Sequence, residues 1–126
     1  MAHGNIHWSE LISADVEGSK KFFTEICGWT ISAMPMPNGE YNVCMVGEQP
    51  VAGIMGVGMI EADHEIQPHW MTYIEVSDVD AEVAKVAGNG GTVVREPFDV
   101  PGVGRISMIM DPGKAVVGIM TPAQQG

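Results

Sequence analysis

Val51-Ala52-Gly53-Ile54-Met55 and Val116-Val117-Gly118-Ile119-Met120 are near-copies of one another, 65 residues apart. Asp15-Val16-Glu17 and Asp78-Val79-Asp80 stand in the same relation at 63 residues, and around them Leu11 falls on Ile74, Phe23 on Val86 and Gly28 on Gly91. His7-Trp8 and His69-Trp70, 62 residues apart, carry the match to the start of each half. A short insertion in a turn reconciles the offsets. Self-similarity at one period means that the chain folds as two copies of one supersecondary unit.

Each copy is predicted to open with a strand, Ile6 to Ala14 or His69 to Ser77. Asp15 and Asp78 then supply carboxylates that accept from the free amides of a first helical turn. Val16, Phe23 and Ile26, and likewise Val79, Val83 and Val86, recur at helical spacing up to Gly28 and the Gly88 to Gly91 cluster. Three strands follow in each half. They are Thr30 to Met36, Tyr41 to Gly47 and Val51 to Gly58, then Thr92 to Val100, Arg105 to Met110 and Ala115 to Met120, separated by turns rich in Pro, Gly and Asn. The order is βαβββ twice: module one over about 5–58, a linker over 59–68 that contains His64, and module two over about 69–121, all within one domain, 1–126. Three strands and one helix cannot bury both sheet faces, so an α+β fold is expected, with curved mixed sheets enclosing a cavity and helices outside.

Composition narrows the partners. Six basic against sixteen acidic residues leave a net charge of −10, which repels nucleic acid and anionic membrane surfaces and favours a neutral or cationic small molecule. The longest apolar stretches, such as Val51 to Ile60, fall far short of the ~20 residues that cross a bilayer. Two cysteines, Cys27 and Cys44, make no disulfide framework, and no leader-like apolar run precedes Trp8, so a cytoplasmic address is expected.

Phe22-Phe23 before Gly28-Trp29, Asn89-Gly90-Gly91 and Asp111-Pro112-Gly113, set in this element order, resemble the vicinal oxygen chelate superfamily, which includes glyoxalase I, bleomycin resistance proteins and extradiol dioxygenases. Trp70 to Tyr73, Val79-Asp80-Ala81 and Pro101-Gly102-Val103-Gly104-Arg105 further resemble its glyoxalase-like subgroup of unassigned reaction. The resemblance implies His and Glu metal ligands on the first and last strand of each half. Those positions fall here on Trp8, Met71, Gly53 and Gly118, none of them a hard ligand. No cofactor is therefore expected. A divalent metal in some departed arrangement is the alternative, with His7 and His69 as its ligands, although a one-residue step turns His7 away from the face that holds Trp8.

Period-two alternation puts Trp8 and Glu10 on one face of the first strand, and Met71, Tyr73 and Glu75 on one face of its mate. With Met55 and Met120 from the closing strands they form the expected ligand-binding set, and Glu10 is the candidate catalytic residue. A carboxylate within a sheet must be paired or resist ionisation, and such a group binds a cation or acts as a base. The competing reading has Glu10 and Glu75 reaching water or an arginine, Arg95 or Arg105. Cys44, mid-strand with no basic neighbour, reads as an inert thiol, and the methionines and Trp70 read equally well as packing.

Three functions remain. The leading one is a small-molecule binding protein without the standard metal site, as the resemblance to the bleomycin-resistance branch implies. The second is a glyoxalase- or epimerase-type lyase or isomerase acting on a 2-oxo or 2-hydroxy compound, with Glu10 as general base. The third is a regulatory partner with no ligand. A homodimer is expected, because a small chain of this kind covers its sheet edges with a second copy. The protein is expected to purify without stoichiometric divalent metal. Elemental analysis finding about one Ni, Zn, Fe or Mn per chain, lost on His7→Ala or His69→Ala, would overturn that expectation.

Overall fold

A computed structural model describes residues 3–60 and 65–123; His64 and the middle of the expected linker lie outside the described residues. The chain groups into two compact units, one of Trp8–Met71 and the other of the residues up to His7 with those from Thr72 onward. No helix among the described residues is long and apolar enough to cross a membrane.

The first half runs β1 (Ile6–Ser13), α1 (Val16–Cys27), β2 (Thr30–Met36), β3 (Gly39–Val46) and β4 (Gln49–Gly56). Its strands lie in the order β2-β3-β4-β1. The β2–β3 and β3–β4 pairs are antiparallel, as tight turns dictate, whereas β4 returns parallel to β1 with Leu11 beside Ile54. That parallel return is possible because α1 has carried the chain across the sheet. Asp15 starts the helix by accepting from the Gly18 amide at 3.0 Å, and Gly28 ends it in the left-handed conformation at φ 70°, where its amide donates to the Thr24 carbonyl. A side chain at Gly28 would add strain of order 1 kcal/mol. Leu11, Cys44, Ala52 and Ile54 form the core, flanked by Val16, Phe23, Trp29 and Ile31. Burying each large aliphatic side chain contributes about 1.5–3 kcal/mol.

The second half repeats the order with β5 (His69–Glu75), α2 (Val79–Val83), β6 (Thr92–Val100), β7 (Gly104–Met110) and β8 (Val116–Pro122). Its strands lie as β5-β8-β7-β6, with β5 and β8 parallel. Val76, Val79 and Ile119 form the core, packed by Ile74, Val83 and Ile109. The architecture is α+β, two βαβββ modules in tandem, as the repeat predicts.

One expectation needs correction. The second helix does not run on to the glycine cluster. It keeps its Asp78 cap, which accepts from the Ala81 amide at 3.2 Å, yet after Val83 the chain winds tighter. Lys85 donates to the Glu82 carbonyl, Val86 to that of Val83 and Asn89 to that of Val86, each a three-residue step. The segment carries Val79, Val83 and Val86 and ends in Gly88, Gly90 and Gly91. These are poor helix formers, and the tighter turns follow from them.

Cys44 is fully buried and Cys27 exposed. Burial pushes the Cys44 thiol up to about 11, with Cys27 adding in the same direction. Because the folded state disfavours the thiolate, stability that is fully present below the ordinary thiol value of 9.0 is lost as pH rises towards about 11. Alkylation in native buffer is therefore expected to modify Cys27 alone, and Cys44 only after denaturant is added. Mass spectrometry of the labelled peptides checks this, and native labelling of Cys44 would contradict the packing described.

Candidate functional site

Within the Trp8–Met71 unit, the parallel register seats Glu10 directly beside Gly53, and the antiparallel one seats Val43 on the other side of the same glycine. Glu10 is buried at 8% exposure. The open space above Gly53 is filled from β3: a Cβ built at Gly53 would fall inside the phenol of Tyr41. The phenol is fixed from the other side by Trp8, whose indole Nε1 donates to the Tyr41 hydroxyl at 2.9 Å. Burial, and then the Glu10 carboxylate, hold the Tyr41 phenol well above the ordinary tyrosine range, and Tyr41 and Glu10 are hydrogen-bonded. Trp8, Tyr41 and Glu10 thus form one cluster over a bare glycine. Met55, on the strand behind Gly53, is half-buried, and Met71 is buried.

Within the other unit, Tyr73 lies beside Gly118 in the parallel register, and a Cβ built at Gly118 would fall inside the Tyr73 ring. Tyr73, Glu75 and Met120 are all buried. His7 lies 3.4 Å from the Glu75 carboxylate through its Nδ1. His69 spends its Nδ1 on the Gln67 carbonyl at 2.7 Å, a local contact at the strand entry.

Both arginines offered as carboxylate partners have engagements of their own. Arg105 donates to Asp80 at 2.6 and 3.1 Å and pairs with Asp99 at 3.1 Å, while Arg95 lies over the Phe98 ring at 3.7 Å. The Arg105 guanidinium holds the exposed Asp80 carboxyl below its usual range. Trp70, considered as a stacking surface, packs edge-on against Phe23, whose ring also meets those of Phe22 and Trp29.

The positions where the resemblance implies metal ligands do not fit a divalent ion. Trp8 and Met71 offer no hard donor, and the cradles at Gly53 and Gly118 are taken by tyrosine rings. Among the described residues no group of three His, Cys, Asp or Glu side chains stands together to hold a metal. Shallow depressions occur among the described residues of each unit. One of about 330 Å³ lies along α1 at Phe22 and Ile26, and one of about 350 Å³ lies at Pro101–Arg105 and Thr121; neither touches the clusters just described.

Tyr41 is the residue that sequence reasoning passed over. Its signal was available: an aromatic two residues before the position that pairs with a strand glycine is placed to lie diagonally across it.

Taken together, these elements define a tandem βαβββ domain of the α+β class. The model of the Glyoxalase/Bleomycin resistance protein/Dioxygenase superfamily matches residues 5–119, and the chain belongs to that superfamily. It is 35% identical over 123 residues to CFP32 of Mycobacterium tuberculosis, named provisionally as a glyoxylase, across 97% of this chain and 46% of that one. It is 30% identical over 109 residues to the anthracycline biosynthesis protein DnrV of Streptomyces peucetius, across 86% and 38%. The chain spans less than half the length of these curated relatives. Among solved structures, methylmalonyl-CoA epimerase of Mycobacterium tuberculosis shares the fold at a TM-score of 0.68 and 15% identity, over 98% of this chain and 93% of that one.

Gly53→Ala is expected to cost about 1–3 kcal/mol, because the new methyl must displace the Tyr41 phenol. Truncating Tyr41 to Ala in the same chain should recover part of the loss introduced by the methyl. Thermal or urea unfolding of the two single variants and the double variant measures the coupling. Additive effects would mean that Tyr41 does not occupy the space above Gly53.

Proposed function

We propose that this chain is a small-molecule binding domain that takes a neutral or cationic organic ligand against the Trp8, Tyr41, Glu10 and Met55 surface of its first unit, without a divalent metal at the superfamily's standard positions. One observation carries the reading: a carboxylate, Glu10, is buried beside Gly53 within a cluster of aromatic side chains. A carboxylate in such surroundings is costly to keep charged unless a cation or a set of donors faces it. The net charge of −10 supports the same ligand sign. Met71 is a further candidate within this unit, and Tyr73, Glu75 and Met120 are the candidates in the other. The reading extends to a cytoplasmic homodimer, supported by the two unpaired thiols and by the apolar side chains Met34, Met36 and Val94 exposed on β2 and β6.

The name given to CFP32 supports a second reading, a glyoxalase- or epimerase-type enzyme in which Glu10 takes a proton from a 2-oxo or 2-hydroxy compound. Both readings place Glu10 at the centre. Glu10→Gln is expected to leave the fold intact or slightly more stable and to abolish the thermal shifts that organic cations produce in the wild type. Unchanged shifts in Glu10→Gln would remove Glu10 from the site. Turnover of a 2-oxo or 2-hydroxy acid by the wild type, lost in the variant, would favour the enzyme.

A further inference from the structure

Within the first half the strand order ends in β2, and within the second it ends in β6; among the described residues no strand lies beyond either. An edge strand presents backbone N–H and C=O groups that its own sheet does not use, and folded chains blunt such edges with charge, proline and bulges. β6 has all three. Its ladder with β7 breaks between Val93 and Arg95 and again between Arg95 and Phe98, and it carries Arg95, Glu96, Pro97 and Asp99. β2 is different. Its seven residues pair with β3 in one unbroken register, from Thr30 beside Met45 to Met36 beside Gly39. None of them is charged, in a chain of net charge −10. All but Ile31 are exposed, Met34 at 51% and Met36 at 39%.

The one blunting device that β2 carries, Pro35, also fixes which of its residues look outward. A proline in an edge strand stands where its nitrogen, bare of hydrogen, faces away from the neighbouring strand. Antiparallel pairing alternates, so Thr30, Ser32, Met34 and Met36 spend their backbone groups on β3, whereas Ile31, Ala33 and Pro35 turn theirs to the open edge. A second β2, laid antiparallel about a two-fold axis at Ala33, meets this edge with its own complement. Ala33 exchanges both of its bonds with Ala33 of the second copy, and each Ile31 amide donates to the opposite Pro35 carbonyl. The missing N–H of Pro35 then costs only one bond per chain. The side chains on the face opposite Ile31 match as well, Ser32 across from Met34 and Thr30 across from Met36, small against large.

We propose that β2 is the dimer edge of this protein: two copies join antiparallel through Thr30–Met36, centred on Ala33, so that the β2–β3 sheet of one runs on into that of the other. This rests on the homodimer of the proposed function and assigns it to β2, setting β6 aside. Charge favours the same occupant. Two chains of net charge −10 repel, and they meet at least cost along a strand where neither brings a charged side chain.

Sedimentation equilibrium over a concentration series gives the dimer dissociation constant, and amide exchange followed by NMR reads the edge residue by residue. In the wild type the Ile31 and Ala33 amides are expected to exchange more slowly as concentration rises through that constant, while those of Ser32 and Met34, already bonded to β3, stay unchanged. Contact through a helix or a sheet face would not produce that alternation. Ala33→Pro removes the donor at the two-fold axis, and Met34→Lys sets like charges diagonally across it. Each is expected to raise the dissociation constant at least about tenfold. Circular dichroism checks that each variant folds, and Met34→Lys carries the test if Ala33→Pro does not. Val94→Lys, on β6, is expected to leave the constant unchanged. A wild type that stays monomeric at hundreds of micromolar would overturn the homodimer and its edge together. A dimer that survives the folded β2 variants, a dimer lost in Val94→Lys instead, or exchange at Ile31 and Ala33 that ignores concentration would each overturn the β2 edge and leave the homodimer standing.

Discussion

Each half of this chain closes by bringing its last strand back parallel to its first, and the chemistry described above hangs on the register of that return. Leu11 beside Ile54 and Ile74 beside Ile119 are apolar pairs at the centre of the two returns. Because side chains alternate across a sheet, a slip of one residue at either place would send these aliphatic residues to the opposite face. It would also part Glu10 from Gly53 and Tyr73 from Gly118. The cores summed around Leu11 and Ile54, and around Val76 and Ile119, oppose such a slip with several kcal/mol each. Packing on one face of the sheet thereby holds polar groups in place on the other.

Much of the fold was legible because its punctuation is local. Asp15 and Asp78 cap helices wherever they occur before an apolar period, Pro37-Asn38-Gly39 can do little but turn, and a repeat doubles the weight of each such signal. The length of α2 was not legible, because Val83 and Val86 keep the helical period while lacking the propensity to hold it. Register was legible only in part. Alternation assigned Glu10 a face, but which side chain would cover Gly53 depended on the β3–β4 pairing, shifted by an irregularity between Cys44 and Met45. Tyr41 could be found only by laying the three strands side by side. Asn42 and Ser107, which occupy the same place in the two copies and are both fully buried, were missed for a related reason. Their partners are backbone carbonyls, of Ile54 and Arg95, and a backbone carbonyl leaves no mark in a sequence.

The two copies reach one steric result by different routes. In the first, the glycine of the closing strand is covered by a tyrosine from β3, which leaves its neighbour on β1 free to be a glutamate. In the second, the neighbour on β5 is itself the tyrosine, and no carboxylate stands there. The repeat is close enough to build the same sheet twice and loose enough to place a carboxylate beside the closing-strand glycine in only one half. An internal duplication can therefore keep its scaffold while its two copies differ in the side chain that stands beside that glycine.

The halves differ also in how firmly their helices are held. α1 is twelve residues long, capped at both ends and joined to its core through Phe23, whereas α2 has five residues before the chain tightens into three-residue turns. A helix of one turn has almost no hydrogen bonds of its own to lose, and so it opens at little expense whenever its packing loosens. Val79, at 1% exposure, is the anchor that holds the start of α2 to the core. A domain that looks symmetric in its drawing is thus asymmetric in its breathing, and amide exchange in the second half should begin at Val83 to Gly91 while the first half stays closed.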